Sequence, residues 1–149
     1  MPSQSTRTEI VNVDSGRCRR SRATIGSIAR SMPQFGLYVI ADGMGGHSDG
    51  AGAAQLAVET VRDAFNRVQH PVFDPIGFLH LAIGRAHANL VLLGANQSME
   101  ARPRATCALC LVQDGAAYFA HVGDSRIYHL RGGKVRERTR DHSHVELLL

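Results

Sequence analysis

Apolar residues recur along this chain in two rhythms, and the switches between them mark out its elements. Phe35 to Ala41 is an apolar run of strand length that ends at the acidic Asp42. From Ser48 the spacing turns helical: Ala54, Leu56, Ala57, Val61, Ala64, Phe65 and Val68 share one side, and Pro71 closes the segment. A second helix starts near Asp74 and puts Ile76, Leu79, Ile83, Ala86, Leu90 and Leu93 on one face. The two predict an antiparallel pair laid over a sheet. After a polar loop at 95–104, strands return at Ala105 to Gln113 and Ala116 to Val122, joined by the Asp114-Gly115 turn. Turns at Gly123-Asp124-Ser125 and Gly132-Gly133 then frame strands at Arg126 to Leu130 and Lys134 to Arg138, which reads as an antiparallel meander. Residues 15–34 carry Arg17, Arg19, Arg20, Arg22 and Arg30 with weak periodicity, and read as an irregular solvated loop or a poorly formed hairpin. Asp141 to Leu149 reads as a helix start capped by Asp141 or Ser143.

At 149 residues and 44% hydrophobic, the chain predicts a single domain over 1–149 with a real core. No run reads as long and apolar enough to span a membrane, and the polar stretch Met1 to Thr8 does not read as a secretory leader, so a cytoplasmic location is the expectation. A net charge of +4 suits an anionic substrate but is too small to argue for nucleic acid. Aromatic content of 5% with no Trp gives base stacking little support. Cys107 and Cys110 form a C-x-x-C inside a strand, where positions three apart face opposite ways, so they read as small buried side chains rather than a zinc or redox pair. His142 and His144, two apart, would point in different directions on a helix and make no metal pair with His47.

The chemistry concentrates in Val39-Ile-Ala-Asp-Gly-Met-Gly-Gly-His47. A buried strand delivers one carboxylate, Asp42, into a glycine-rich loop where the backbone can turn sharply and approach a ligand closely. Two readings fit: a Mg²⁺ or Mn²⁺ ligand set, with the Gly43 carbonyl beside the Asp42 carboxylate, or a hydrogen-bonded strand-to-helix turn. Gly123-Asp124-Ser125-Arg126 repeats the character of the first turn, and Asp14, in Val11-Asn-Val-Asp14, is a third candidate. A metal site assembled across a sheet edge would need such a set, and their joint occurrence shifts the balance toward it.

Ala41-Asp-Gly-Met-Gly-Gly-His47, His121-Val-Gly-Asp-Ser-Arg-Ile-Tyr128 and Thr139-Arg-Asp-His-Ser143 together resemble the ordered signature segments of bacterial protein phosphatase 2C domains, the PPM family of metal-dependent Ser/Thr phosphatases. The likeness runs from about Asn12 to the last residue. It implies an α+β fold, an α/β/β/α layered sandwich of two antiparallel sheets flanked by helices, with a binuclear Mn²⁺/Mg²⁺ centre at one end. It also implies that Asp42 bridges the two metals, that the Gly43 carbonyl binds one, and that Asp124 belongs to a further, more weakly held site, with Asp14 as an additional candidate ligand. A metal-activated water would attack phosphorus in line, so no side chain is assigned as the catalytic group. Met44 stands where some eukaryotic relatives carry His, and His47 reads as a solvated residue near the helix start. The implied partners are phosphorylated proteins, substrates of a Ser/Thr kinase; neither a nucleic acid nor a membrane is expected.

Departures from the family pattern shape the expectation further. Val13 sits in the middle of Asn12-Val13-Asp14, where the family carries Glu or Gln, and Glu9 occupies the place of a phosphate-binding Arg. Arg7, two residues away, is the candidate substitute. The C-terminal part of the family domain, with two more aspartates, is absent, so the fold is expected to be incomplete at the C-terminus, with exposed sheet edges prone to self-association. The competing reading is a catalytically silent regulatory or interaction module, or a truncated fragment of such a phosphatase.

Overall fold

A computed structural model describes residues 9–14, 17–21, 35–44 and 49–142. Along the chain these form β1 (Glu9–Asp14), β2 (Arg17–Ser21), β3 (Phe35–Met44), α1 (Asp49–Arg67), α2 (Pro75–Leu93), β4 (Arg104–Gln113), β5 (Ala116–Val122), β6 (Tyr128–Arg131) and β7 (Lys134–Arg138). Five strands make one antiparallel sheet in the order β2-β1-β3-β4-β5, and β6 and β7 form a separate two-stranded sheet. The fold is α+β, with a helical layer on one face of the larger sheet.

Period-two alternation decides which face that is. Leu37, Val39 and Ala41 of β3 are paired with Leu111, Leu109 and Cys107 of β4, and all six are buried against the helices. From α1 come Ala53, Ala57, Val58, Val61 and Phe65; from α2 come Phe78, Leu79, Ala82, Ala86 and Leu90. Each of the large side chains among them contributes about 1.5–3 kcal/mol through burial. The other face carries Tyr38, Ile40, Cys110 and Val112, half-buried, and Phe119, which is 43% exposed.

Polar contacts fix the joints between these layers. Gln113, buried at the end of β4, accepts from the Val72 N–H at 3.0 Å through Oε1 and donates to the Val72 carbonyl at 2.8 Å through Nε2, stitching the α1–α2 link to the sheet. Asn89 of α2 donates to Thr60 Oγ1 of α1 at 2.9 Å, and Thr60 donates in turn to the Leu56 carbonyl at 2.7 Å. Asp74 caps α2, accepting from the Gly77 N–H at 2.9 Å, with Pro75 in the first turn, where a missing N–H costs nothing.

Three expectations change. The buried face of α2 is rotated: Ile76 and Leu93 are 59% and 51% exposed, while Phe78 and Ala82 are buried. A helix apolar on most sides has no unique stripe, and contact with α1, including Phe65 against Phe78 at 6.0 Å between ring centroids, selects the face. The same apolarity makes α2, at 19 residues and mean hydropathy 1.4, long and apolar enough by composition to cross a membrane, contrary to the sequence reading; in this fold one side of it belongs to the core. The meander breaks after β5, because residues 123–127 leave the sheet and β6 begins only at Tyr128. The hairpin alternative for the arginine-rich stretch is the one its start takes, as β2 paired with β1; residues 22–34 and the proposed helix start at 143–149 lie outside the described residues. The cysteines behave as expected: Cys107 is on the helix side, Cys110 on the other, and burial pushes their thiols up to about 12 and about 11.

Candidate metal centre

β3 runs from Leu37 to Asp42 through the middle of the sheet, so Asp42 emerges at one end of a strand held on both sides. Its partner across β4 is Thr106. One step further, Cys107 pairs with Val122, which brings Gly123 beside Thr106; a Cβ on Gly123 would stand 2.7 Å from Thr106 Cγ2, and its φ of +92° already favours glycine. Asp42, Thr106 and Gly123 therefore form a row across three strands, about 10 Å long at ordinary strand spacing. Asp124 follows at once, and the two acidic turns meet at the same end of the sheet.

Each turn is shaped by a close contact. A Cβ at Gly43 would lie 1.7 Å from the carbonyl oxygen of Gly50 in the first turn of α1, so only glycine lets β3 run on past Asp42 against that helix. Around Asp124 the contacts are polar. Ser125 Oγ and Thr106 Oγ1 share a hydrogen bond of 2.5 Å. Arg126 grips Asp141 with two parallel bonds, 2.7 Å from Nε and 2.6 Å from Nη2. Thr139 pairs with Ile127 through N–H to carbonyl at 3.0 Å, and its Oγ1 accepts from the Ile127 N–H at 2.9 Å. The His142 N–H donates to the Gly123 carbonyl at 2.9 Å. The segment Thr139 to His142 is thus laid back onto the Asp124 turn. The Arg126 guanidinium holds the Asp141 carboxyl below its ordinary value, and Arg126, then Arg138, lower the Tyr128 hydroxyl.

The sequence-based ligand set is only partly assembled. Asp42, Gly43 and Asp124 lie at the same end of the sheet; Asp14 does not. Glu9 pairs with Ala41 and Val13 with Leu37, so Asp14 falls at the opposite end of the sheet, about 20 Å from Asp42 at roughly 3.3 Å per residue. That placement corrects Asp14 as a companion ligand. Glu9 is at the Asp42 end of β1, and Arg7, the phosphate candidate, lies outside the described residues, as do Gly45 to Ser48 with His47. The donors at this end are hard oxygens of the kind Mg²⁺ and Mn²⁺ take. They are nevertheless few: among the described residues no group of three or more His, Cys, Asp or Glu is placed to hold a metal. Sequence reasoning missed Thr106, Ser125 and the Arg126–Asp141 pair. Thr139-Arg-Asp-His carried a signal as a signature segment, but nothing local names its partner.

The domain is thus an α+β one, an antiparallel sheet under a helix pair with two Asp-bearing glycine turns at one end. The model of the family described as protein phosphatase 2C matches residues 27–145, and the chain belongs to that family. It is 28% identical over 138 residues to the serine/threonine phosphatase stp of Listeria monocytogenes, covering 91% of this chain and 55% of that protein. The structure of the S. agalactiae serine/threonine phosphatase superposes with a TM-score of 0.69 at 28% identity, over 95% of this chain and 59% of that one. The catalytic domain of the serine/threonine phosphatase PstP, solved in complex with two manganese ions, shares the fold at a TM-score of 0.66 and 23% identity, over 95% of this chain and 60% of that one. The chain spans a little over half the length of these relatives.

Proposed function

We propose that this chain is the N-terminal part of a metal-dependent protein Ser/Thr phosphatase, which hydrolyses phosphoserine and phosphothreonine in proteins phosphorylated by a Ser/Thr kinase. The observation that carries the reading is the placement of Asp42, Gly43 and Asp124 at the same sheet end in a protein phosphatase 2C family member. The manganese ions of PstP support the choice of metal. Asp42 through its carboxylate and Gly43 through its carbonyl would hold Mn²⁺ or Mg²⁺, with Asp124 serving a further ion. Such an ion lowers the pKa of water and polarises a phosphoryl oxygen. The chain's own residues set the frame: β3 orients Asp42, the Gly43–Gly50 contact fixes the loop entrance, and the Arg126–Asp141 clamp holds the Asp124 turn at the same edge.

The experiment is Mn²⁺-dependent phosphate release from p-nitrophenyl phosphate and a phosphothreonine peptide, by this chain and by a form extended to the length of its relatives. Activity is expected to vanish in Asp42→Ala, and undiminished activity in that variant sinks the assignment. A second reading, a silent regulatory or interaction module, is favoured by the distance of Asp14 from Asp42 and by the absence, among the described residues, of three or more His, Cys, Asp or Glu placed to hold a metal. Calorimetric titration separates the two: micromolar Mn²⁺ binding by the 149-residue chain, lost in Asp42→Ala, speaks against silence. Self-association with a second copy belongs to the same proposal, supported by the exposed Phe119 and the half-buried apolar side chains on the sheet face away from the helices; a sedimentation coefficient that stays monomeric at all concentrations rules it out.

A further inference from the structure

On the helix-covered side of the sheet, between α2 and β5, lies a cavity of about 650 Å³. The metal-centre reading does not use it: none of Asp42, Gly43 and Asp124 is among the residues that line it. Leu79, Ile83 and Leu90 of α2 supply apolar wall on one side, Val122 of β5 on the other, and Cys107 of β4 lies between. The Cys107 thiol, pushed up to about 12 by burial, remains neutral there.

Four histidines are among the lining residues, and one of them, His121, sits across from Ala108 and comes from the face away from the helices. His80 and His87 are seven residues apart on α2, two turns along one side of the helix. His121 of β5 and His142, beyond β7, stack with ring centroids 4.4 Å apart and planes inclined by 21°. His121 donates from Nε2 to the Arg140 carbonyl at 2.8 Å, which fixes its ring, while the His142 backbone is tied to Gly123. No Asp or Glu lines the cavity. Four histidines would suggest a transition metal if they converged, but among the described residues no three His, Cys, Asp or Glu groups do. What remains is a space of ordinary ligand size with mostly apolar walls and dispersed imidazole N–H donors.

We propose that the α2–β5 cavity binds a small amphiphile with a single anionic head, its apolar body against Leu79, Ile83 and Leu90 and its head group among His80, His87, His121 and His142. The sign of the charge follows from the lining: imidazole N–H donors with no Asp or Glu among the lining residues, and with Asp141, the carboxylate near His121, already gripped by Arg126, favour an anion over a cation in a chain of net charge +4.

Titration calorimetry of the 149-residue chain with decanoate, decanol and decyltrimethylammonium, each below its micellar concentration, tests this. One decanoate per chain is expected, about tenfold tighter than decanol, with the ammonium compound weakest. In His80→Ala/His87→Ala, both exposed positions on α2, decanoate is expected to lose about tenfold in affinity while decanol is unchanged. Absence of decanoate binding overturns the proposal. So do equal affinities for decanoate and decanol, an unaffected double variant, or a stoichiometry well above one, the mark of adsorption to exposed apolar surface. Gly84→Trp tests the location. Gly84 lines the cavity, a Cβ there meets nothing within 4 Å, and the chain has no other Trp. The indole emission is expected to change as decanoate saturates; unchanged emission places the ligand elsewhere and overturns the assignment.

Discussion

The two acidic turns meet at one end of the sheet but are held there by opposite means. Asp42 leaves a central strand paired with β4 at ten positions, backed by Leu37, Val39 and Ala41, none of which reaches solvent, and followed by a glycine pressed against α1. Asp124 is exposed and follows the edge strand β5; its turn is held by a hydroxyl pair, an ion pair and the bonds of Thr139. Apolar burial positions the first carboxylate and is nearly indifferent to salt. Hydrogen bonds in contact with water position the second, and they compete with solvent and weaken with ionic strength. A ligand that must stay put while chemistry occurs is better served by the first arrangement, which agrees with the central role that the family resemblance implies for Asp42.

The largest effect is expected where the apolar arrangement is broken from behind. Leu109→Ala removes a fully buried side chain on β4, beside Val39 and facing the helices, and should lower unfolding free energy by about 2–5 kcal/mol in a denaturant titration. Both turns should loosen together, because β4 carries Thr106 as well. A loss below about 1 kcal/mol would contradict the packing that places Asp42.

Gly43→Ala sharpens the same point at the turn. The added methyl would enter the carbonyl of Gly50, so β3 or α1 has to move, at a cost of about 1–3 kcal/mol. Mn²⁺ affinity should fall alongside stability. Gly52→Ala is the control: nothing stands within 4 Å of that Cβ, and the change in α1 should be neutral or stabilising by up to about 1 kcal/mol. Equal behaviour of the two variants would show that the Gly43–Gly50 approach does not constrain the loop.

What the sequence made legible follows the same divide. β3, β4 and β5 announce themselves because alternation and burial are local properties, and Asp114-Gly115, with φ of +53° and +73°, closes the β4–β5 hairpin as its chemistry requires. The two acidic turns were visible as turns for the same reason. The separation of Asp14 from Asp42 was not, since it depends on how β1 registers against β3, and a carboxylate in an apolar context reads the same at either end of a strand. The face of α2 was illegible because Leu81, Val91 and Leu92 are as apolar as its buried residues and only the neighbours choose among them. Gln113 looked like the polar end of a strand, yet it is buried with both amide atoms bonded to Val72, a partner 41 residues away.

The Arg126–Asp141 clamp should give the smallest effect on stability and the most local one. Both side chains meet water, so Arg126→Gln is expected to leave the unfolding midpoint almost unmoved. Hydrogen exchange should reveal it instead: the His142 and Ile127 amides, bonded to Gly123 and Thr139, exchange faster in the variant, while Leu109 is unaffected. Acid should reproduce this in the unaltered chain. Because Arg126 lowers the Asp141 carboxyl, the clamp contributes fully above the ordinary aspartate value near pH 4, and its contribution is lost as pH falls from there through the lower folded value. Above about pH 5, in the range where carboxylates are ionised, the same amides should be insensitive to pH after correction for intrinsic exchange, but sensitive to salt. If Arg126→Gln leaves their protection intact, the Asp124 turn is held by Thr106 and Thr139 alone, and the contrast between the two turns narrows to one of exposure.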